Sequence, residues 1–139
     1  MAQQVKELMT ERPVTLAREA SLTDAAKLMR DHGIGDVIVV EGDRAAGIVT
    51  DRDIVIRGVA EGNDPDATRV GDVLRGELAA VAPEDSIDRA IQLMRERAIR
   101  RLPVLESGKP VGIVSLGDLA VSEDRSSVLA DISDEPPNR

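Results

Sequence analysis

Apolar residues recur at two different spacings in the first half of the chain. After Ser21 they fall three and four positions apart, which predicts an amphipathic helix, and Ser21 with Asp24 fits the capping-box pattern of a helix start. The apolar positions of this helix are Leu22, Ala25, Ala26 and Met29. Residues 36–40 then form a nearly continuous apolar run rich in β-branched side chains, which is typical of a buried strand.

Shorter signals on either side complete a β-α-β-β-α unit. Residues 14–16 are a strand candidate before the helix, and the turn residues 41–44 lead into the apolar run 47–49. Strands two and three are therefore expected to form a hairpin. Residues 50–53 begin a second helix. The same order of signals returns in the second half, beginning with a strand candidate at residues 78–82.

The two halves of the chain match each other directly. Residues 5–54 align without a gap with residues 70–119, and fifteen of the fifty aligned positions are identical, where average residue usage gives about three or four. The sequence therefore predicts an α+β fold of two tandem β-α-β-β-α repeats, which tend to pack about a pseudo-two-fold axis and form two related clefts. The predicted boundaries are 1–57 for the first repeat, 58–69 for a linker, 70–121 for the second repeat and 122–139 for a polar, flexible tail.

Composition narrows the classes of function. Phe, Tyr, Trp and Cys are all absent, so the core must be aliphatic, and disulfides and thiolate zinc sites are excluded. The net charge of −8 repels a nucleic-acid backbone. No apolar stretch approaches the roughly 20 residues that span a bilayer, and no leader pattern begins the chain. We therefore expect a cytoplasmic protein with no nucleic-acid or membrane partner.

Each hairpin is followed by a hydroxyl and, three residues later, a carboxylate. These are Thr50 and Asp53 in the first repeat and Ser115 and Asp118 in the second. Free amides and the positive dipole end of a helix can seat a phosphate, and a carboxylate can accept hydrogen bonds from ribose hydroxyls. The same spacing is that of a capping box, which satisfies the helix's own donors. Both interpretations stay open from the residues alone.

The residues before the second strand differ between the repeats. Arg100 and Arg101 precede it in the second repeat, where a guanidinium can pair with a phosphate in bidentate geometry. Such arginines can equally be solvated or paired with an acidic residue of the chain. Gly35 and Asp36 hold the equivalent positions in the first repeat, so we expect unequal sites. The first repeat offers two other arginines on its second helix, Arg52 and Arg57.

These motifs carry a family resemblance. The Gly-Ile-Val-Thr/Ser-x-x-Asp endings, the Ser-Ile-x-x-Ala-Ile-x-x-Met helix and the Ile-Arg-Arg-Leu-Pro-Val-Leu-Glu strand resemble a pair of CBS domains, known as a Bateman module, over residues 5–121. Residues 50–58 also resemble stand-alone two-CBS proteins of actinobacteria. The chain departs from the pattern at Ile38, where the second repeat has Pro103.

The resemblance implies a non-enzymatic regulatory module that binds an adenosine-containing nucleotide in the clefts between its two repeats. AMP, ADP, ATP and S-adenosylmethionine are the implied ligands, and no cofactor is obligatory. A homodimer and an unidentified effector protein are the implied protein partners. The implied ligand-binding residues are Thr50, Asp53, Arg100, Arg101, Leu102, Ser115 and Asp118.

Two other classes of function compete with this one. An enzyme is disfavoured because the chain has one His, no Cys or Tyr and no Gly-rich phosphate loop, and His32 falls at a helix end where a cation is favourable. A ligand-independent interaction or dimerisation module with vestigial clefts is the alternative, since apolar helix faces can pack between subunits or within one chain.

Overall fold

The computed structural model describes residues 3–74 and 77–123, with side chains described as far as Ala120. Its mixture of helices and strands confirms the predicted α+β class. The elements in chain order are a 3-10 helix at Val5–Glu7, β1 at Thr10–Glu11, β2 at Thr15–Ala17, α1 at Leu22–His32, β3 at Asp36–Glu41, β4 at Arg44–Thr50, α2 at Asp51–Asp53, a π-helix at Ile54–Val59, a 3-10 helix at Val70–Val73, α3 at Ile87–Arg97, β5 at Arg101–Glu106, β6 at Lys109–Ser115 and α4 at Leu116–Glu123.

The chain forms two compact units. The first-repeat unit is Pro13–Leu78, with a sheet in the order β2-β3-β4. The second-repeat unit joins residues 3–12 to residues 79–123, with a sheet in the order β1-β6-β5. The predicted boundaries follow the sequence repeat, whereas the compact units group residues 3–12 with the second repeat. Beyond Glu123, the predicted tail lies outside the described residues.

The start of each repeat packs with the other repeat. Val5 and Val70 hold equivalent positions, and both are fully buried. Val5 belongs to the aliphatic core of the second-repeat unit and Val70 to that of the first-repeat unit. Burying a valine side chain contributes roughly 1.5–3 kcal/mol, so each unit depends on a segment that the sequence repeat assigns to its neighbour.

Each sheet is built around an antiparallel hairpin, β3 with β4 and β5 with β6, as predicted. In the first-repeat unit β2 adds to this hairpin in parallel with β3. Two further bonds flank that pairing, from the Ile38 amide to the Val14 carbonyl (3.1 Å) and from the Arg18 amide to the Val40 carbonyl (3.0 Å). The short strand is therefore anchored at both ends.

The strand predicted at residues 78–82 is shorter in the structure. It is reduced to a single parallel bridge between Val81 and Val104. The flanking bonds of the first-repeat unit have no counterpart, because Pro83 and Pro103 stand at the positions of Arg18 and Ile38 in the repeat and have no amide hydrogen to donate.

The helix ends follow local sequence rules, with one exception. Ser21 and Asp24 form the predicted capping box of α1, since the Asp24 amide donates to Ser21 Oγ (3.0 Å) and the Ser21 amide donates to Asp24 Oδ2 (3.2 Å). Helix α1 ends at Gly33, whose φ of 65° is left-handed, as is usual for glycine. Helix α3 ends at the equivalent Ala98, which takes a φ of 54° without glycine's freedom.

The second helix of the first repeat begins where predicted but has a different form. Helix α2 spans only Asp51–Asp53 and continues as the π-helix Ile54–Val59. Gly58 is buried in this segment, and a Cβ at that position would lie 2.7 Å from Leu22 Cδ1. Glycine therefore allows the π-helix to pack closely against α1.

Candidate functional site at the end of the second hairpin

The second-repeat motif lies at one end of the β5–β6 hairpin. Arg101 begins β5 and faces Ser115, which ends β6, in the strand register. The Leu116 amide donates to the Arg100 carbonyl (2.7 Å), which joins the start of α4 to the residue before β5. Arg100, Arg101 and Ser115 therefore share one edge of the unit, with Asp118 in the first turn of α4.

Ser115 and Asp118 form a closed capping box. The Asp118 amide donates to Ser115 Oγ (3.1 Å), and the Ser115 amide donates to Asp118 Oδ2 (2.9 Å). Both residues are half-buried. The box uses the Ser115 oxygen only as an acceptor and uses one of the two carboxylate oxygens. It does not consume the Ser115 hydroxyl proton or Asp118 Oδ1, so capping and ligand binding are compatible roles for these two residues.

The first-repeat motif forms the same box. The Thr50 amide donates to Asp53 Oδ2 (2.9 Å), and the Asp53 amide donates to Thr50 Oγ1 (3.1 Å). Asp53 is only 8% exposed, whereas its counterpart Asp118 is half-buried. The two carboxylates therefore share local geometry but differ in access to a ligand.

The side chains around the first hairpin end are also different. Asp36 faces Thr50 in the register of β3 with β4, and the Asp51 amide donates to the Gly35 carbonyl (2.9 Å). Asp36 is 7% exposed, whereas Arg101 at the equivalent position is exposed. One backbone arrangement thus presents an arginine pair in one unit and a buried carboxylate in the other.

The helix starts hold fewer free amides than the sequence suggests. In the second-repeat unit the amides of residues 115, 116 and 118 all donate to partners within that unit. In the first-repeat unit the Arg52 amide is also occupied, because it donates to Asp51 Oδ1 (2.8 Å). Leu116 stands at the position of Asp51 and offers Gly117 no such acceptor. An anion at the second hairpin end would therefore depend mainly on side-chain donors.

Two of the candidate residues have roles inside their own unit. The Leu102 side chain is fully buried in the core of the second-repeat unit, so only its main chain can lie at a ligand site. Arg57 donates from Nη1 to the Val73 carbonyl (2.6 Å), which is an internal use for this guanidinium. Arg52 is exposed.

Asp51 is a residue of this region that motif reasoning does not single out. The signal for it is present in the repeat alignment, where position 51 is Asp and position 116 is Leu within an otherwise matching motif. Its importance depends on how close its carboxylate lies to Gly35, which only the folded hairpin end reveals.

The other ionisable groups of the described residues form no second centre. His32 is exposed near the end of α1, as expected. Its neighbour Asp31 accepts a hydrogen bond from Arg30 Nε (2.8 Å), and this bond lowers the pKa of the Asp31 carboxyl below its ordinary value. Among residues 3–74 and 77–123, no group of three or more His, Cys, Asp or Glu could hold a metal ion. No helix in that part of the chain is long and apolar enough to cross a membrane.

Comparison with protein families finds the same domain twice. A profile of the CBS domain matches residues 5–58 and residues 70–122. The chain belongs to the CBS-domain family. The two matched CBS segments correspond to the duplicated halves of the sequence, so the resemblance inferred from the repeated motifs is confirmed. The chain is therefore a tandem CBS-domain protein, of a regulatory kind.

Two curated relatives are similar over most of their length. The CBS domain-containing protein YhcV of Bacillus subtilis is 41% identical over 133 residues, which cover 93% of this chain and 94% of that protein. Hypoxic response protein 1 of Mycobacterium tuberculosis is 37% identical over 116 residues, which cover 83% of this chain and 81% of that protein. The second relative agrees with the predicted resemblance to stand-alone actinobacterial two-CBS proteins.

Solved structures support the CBS-pair fold. The crystal structure of Hypoxic Response Protein I with two coordinated zinc ions matches with a TM-score of 0.79 at 34% identity, covering 85% of this chain and 97% of that one. The hexameric CBS-CP12 protein from bloom-forming cyanobacteria matches with a TM-score of 0.77 at 32% identity, covering 95% of this chain and 81% of that one. The zinc ions and the hexamer are properties of those two proteins.

Proposed function

We propose that this protein is a non-enzymatic regulatory module that binds an adenosine-containing nucleotide at the second hairpin end. The observation that carries the proposal is the convergence of Arg100, Arg101, Ser115 and Asp118 at that end. Guanidinium groups and a hydroxyl bind phosphate, and a carboxylate binds ribose hydroxyls. The candidate ligands are AMP, ADP, ATP and S-adenosylmethionine, and an effector protein would respond to the bound form.

The capping box prepares the two polar side chains for a ligand. The Asp118 amide holds the Ser115 oxygen, so the Ser115 hydroxyl can donate its proton to a phosphate oxygen. The Ser115 amide holds Asp118 Oδ2, so Oδ1 can accept from a ribose hydroxyl. Because both side chains are already ordered, binding loses less conformational entropy than it would with free rotamers.

Arg100 supports the phosphate part of the proposal. Its side chain is exposed, and within the described part of the chain its guanidinium forms no ion pair with a carboxylate. A phosphate would therefore not have to displace an internal partner. A hydrogen bond to a charged group contributes about 1.5–3 kcal/mol, which is about ten-fold or more in affinity.

The absence of aromatic residues and cysteine gives a direct test. Protein without Trp, Tyr, Phe or Cys should be almost transparent near 260 nm, so a purified protein that retains an adenine nucleotide should show that band. Denaturation should then release the absorbing species as a small molecule. Added ligand at a hundred times its Kd should stabilise the protein by about 2.7 kcal/mol. A flat spectrum together with no thermal shift from millimolar AMP, ADP, ATP or S-adenosylmethionine would refute nucleotide binding.

A ligand-independent interaction or dimerisation module is the second candidate, and an exposed apolar strip on the π-helix favours it. Val55, Ile56 and Val59 are 54%, 48% and 62% exposed. Contiguous exposed apolar side chains are typical of protein interfaces. The hexameric assembly of the CBS-CP12 relative is consistent with association between CBS proteins. On this proposal the strip joins two copies of the chain into a homodimer.

Sedimentation at micromolar concentration tests the homodimer. The wild-type protein should sediment at about twice the 14.9 kDa chain mass, and Ile56→Asp should shift it to the monomer because a carboxylate would be buried in the apolar contact. Ala26→Asp, an exposed change on α1, is the control and should leave the dimer intact. A wild-type protein that sediments only as a monomer would rule the homodimer out.

A further inference from the structure

The two hairpin ends share their main-chain geometry. Asp36 faces Thr50 in one unit as Arg101 faces Ser115 in the other. The amide that begins the following helix donates to the residue before the strand in both units, at 2.9 Å in the first and 2.7 Å in the second. The two ends therefore share these main-chain contacts and differ in the side chains that they present.

Asp51 places a carboxylate at the first hairpin end. Its Oδ1 accepts from the Arg52 amide (2.8 Å), and its Oδ2 lies 3.1 Å from the position that a Cβ on Gly35 would take. The carboxylate thus lies between the helix start and the residue before β3. A helix start attracts an anion, and here the chain supplies one itself. The second unit has Leu116 and Arg100 at the positions of Asp51 and Gly35.

We propose that Asp51 acts as an internal anion that closes the first hairpin end to phosphate, so that the chain binds a single phosphate-bearing adenosine nucleotide at the second hairpin end. The inference rests on the proposed nucleotide-binding function and adds to it the class of ligand and the number of ligands per chain. It also explains why one motif can recur twice in a chain and serve a phosphate only once.

The exposed side chains at the first end offer a phosphate little net attraction. Asp51 and Arg52 are both exposed, so the neighbouring carboxylate offsets the charge of the guanidinium. The equivalent residues of the second end, Leu116 and Gly117, bring no carboxylate.

The second end favours a different ligand charge. The exposed Arg100 guanidinium forms no ion pair with a carboxylate in the described part of the chain, so it can attract an anionic ligand. Adenosine has no phosphate, and S-adenosylmethionine carries a cationic sulfonium in place of one. Adenosine therefore gains nothing from the arginine pair, and the one carboxylate of S-adenosylmethionine is offset by its sulfonium and ammonium cations. The expected order of affinity is therefore ADP and ATP above AMP, with adenosine and S-adenosylmethionine weakest.

Calorimetric titration of the full chain with ADP tests the proposal. The wild-type protein should bind one ADP per chain. Leu116→Asp copies the residue of the first repeat into the second, and Leu116 is 42% exposed, so the change does not disturb the core. It should weaken ADP binding about ten- to hundred-fold. Leu116→Asn is the matched control, because asparagine has the shape of aspartate without its charge. It should change the affinity for ADP by less than about three-fold.

A second variant guards against an effect specific to position 116. Arg100→Gly with Arg101→Asp also copies the first-repeat residues, whose backbone arrangement the first hairpin end already accommodates. It should abolish ADP binding while the ligand-free melting temperature stays close to that of the wild type. Arg95→Asp with Arg97→Gln on the exposed side of α3 makes the same change in net charge and should leave ADP binding unchanged.

The outcomes separate this inference from the proposed function. Three results would overturn the inference but leave nucleotide binding itself intact. They are two equivalent ADP sites per chain, undiminished ADP binding by Leu116→Asp, and binding of S-adenosylmethionine as tight as that of ADP. No binding of any of these ligands to the wild-type protein at millimolar concentration would overturn both.

Discussion

Replacing Asp118 by asparagine separates the two roles assigned to its carboxylate. In the capping box, Asp118 Oδ2 accepts from the Ser115 amide (2.9 Å), and an asparagine carbonyl can accept the same bond. In the proposed ligand site, Oδ1 accepts from a ribose hydroxyl, and the asparagine NH₂ that replaces it cannot. Asp118→Ala removes both functions, so the pair of variants distinguishes a cap from a ligand-binding group.

The expected magnitudes follow from these contacts. Asp118→Ala leaves the Ser115 amide without its acceptor, which costs about 0.5–1.5 kcal/mol, and removes a favourable acid from the first helical turn, which costs about 0.3–1 kcal/mol. Asp118→Asn loses only the second contribution. For ligand affinity both variants lose a charge-assisted bond of about 1.5–3 kcal/mol, which corresponds to about a ten- to 150-fold weaker Kd.

Two measurements on the same variants complete the test. Urea unfolding without ligand should rank the alanine variant well below the asparagine variant, and titration with ADP should show both binding weakly. Asp53→Asn is the control, since Asp53 forms the same box but is buried, and it should leave ADP affinity unchanged. If both Asp118 variants bind ADP as tightly as the wild type, the carboxylate is a helix cap and the site assignment is wrong.

Four further substitutions test the local structure of the two units. Ala98 follows α3 with a left-handed φ of 54°, as Gly33 follows α1 with a φ of 65°. In urea titrations Ala98→Gly should raise the free energy of unfolding by about 0.5–1 kcal/mol, because glycine adopts this conformation without strain. Gly33→Ala should lower the free energy of unfolding by about 1 kcal/mol for the same reason. Gly58→Ala should lower the free energy of unfolding by about 1–2 kcal/mol, because the new Cβ would lie 2.7 Å from the fully buried Leu22. An unchanged urea midpoint would show that the Leu22 side chain can move aside. Arg57→Ala should lower the free energy of unfolding by about 0.5–1.5 kcal/mol, because the bond to the Val73 carbonyl is lost. The affinity for ADP should not change. Weaker ADP binding by this variant would show that Arg57 contributes to the ligand site.

Local patterns in the sequence predict the features that depend on neighbouring residues. The capping boxes at Ser21, Thr50 and Ser115 join residues three positions apart, so their spacing is enough to identify them. The hairpins and the approximate bounds of β3 and α1 follow from apolar periodicity for the same reason. The equivalence of the two hairpin ends is visible in the repeat alignment, because the matching residues occupy the same positions in both repeats.

Features that depend on distant residues are not predictable in this way. The predicted strand at residues 78–82 is too long because a longer pairing needs amide donors at positions 83 and 103, where Pro83 and Pro103 have none. The π-helix at Ile54–Val59 has the sequence pattern of an ordinary helix, and the contacts that accompany it are the close approach of Gly58 to Leu22 and the bond from Arg57 to Val73. Periodicity along one segment carries no information about such contacts.

The amino-acid sequence by itself determined that this is a duplicated α+β CBS protein with a hydroxyl and a carboxylate at the end of each hairpin. Only the tertiary structure decided that Val5 and Val70 each pack in the core of the other repeat, and that Asp53 is buried while Asp118 is half-buried. The physical reason is that spacing within a segment specifies which face is apolar and which groups can cap a helix, whereas burial depends on what a distant part of the chain places against that face.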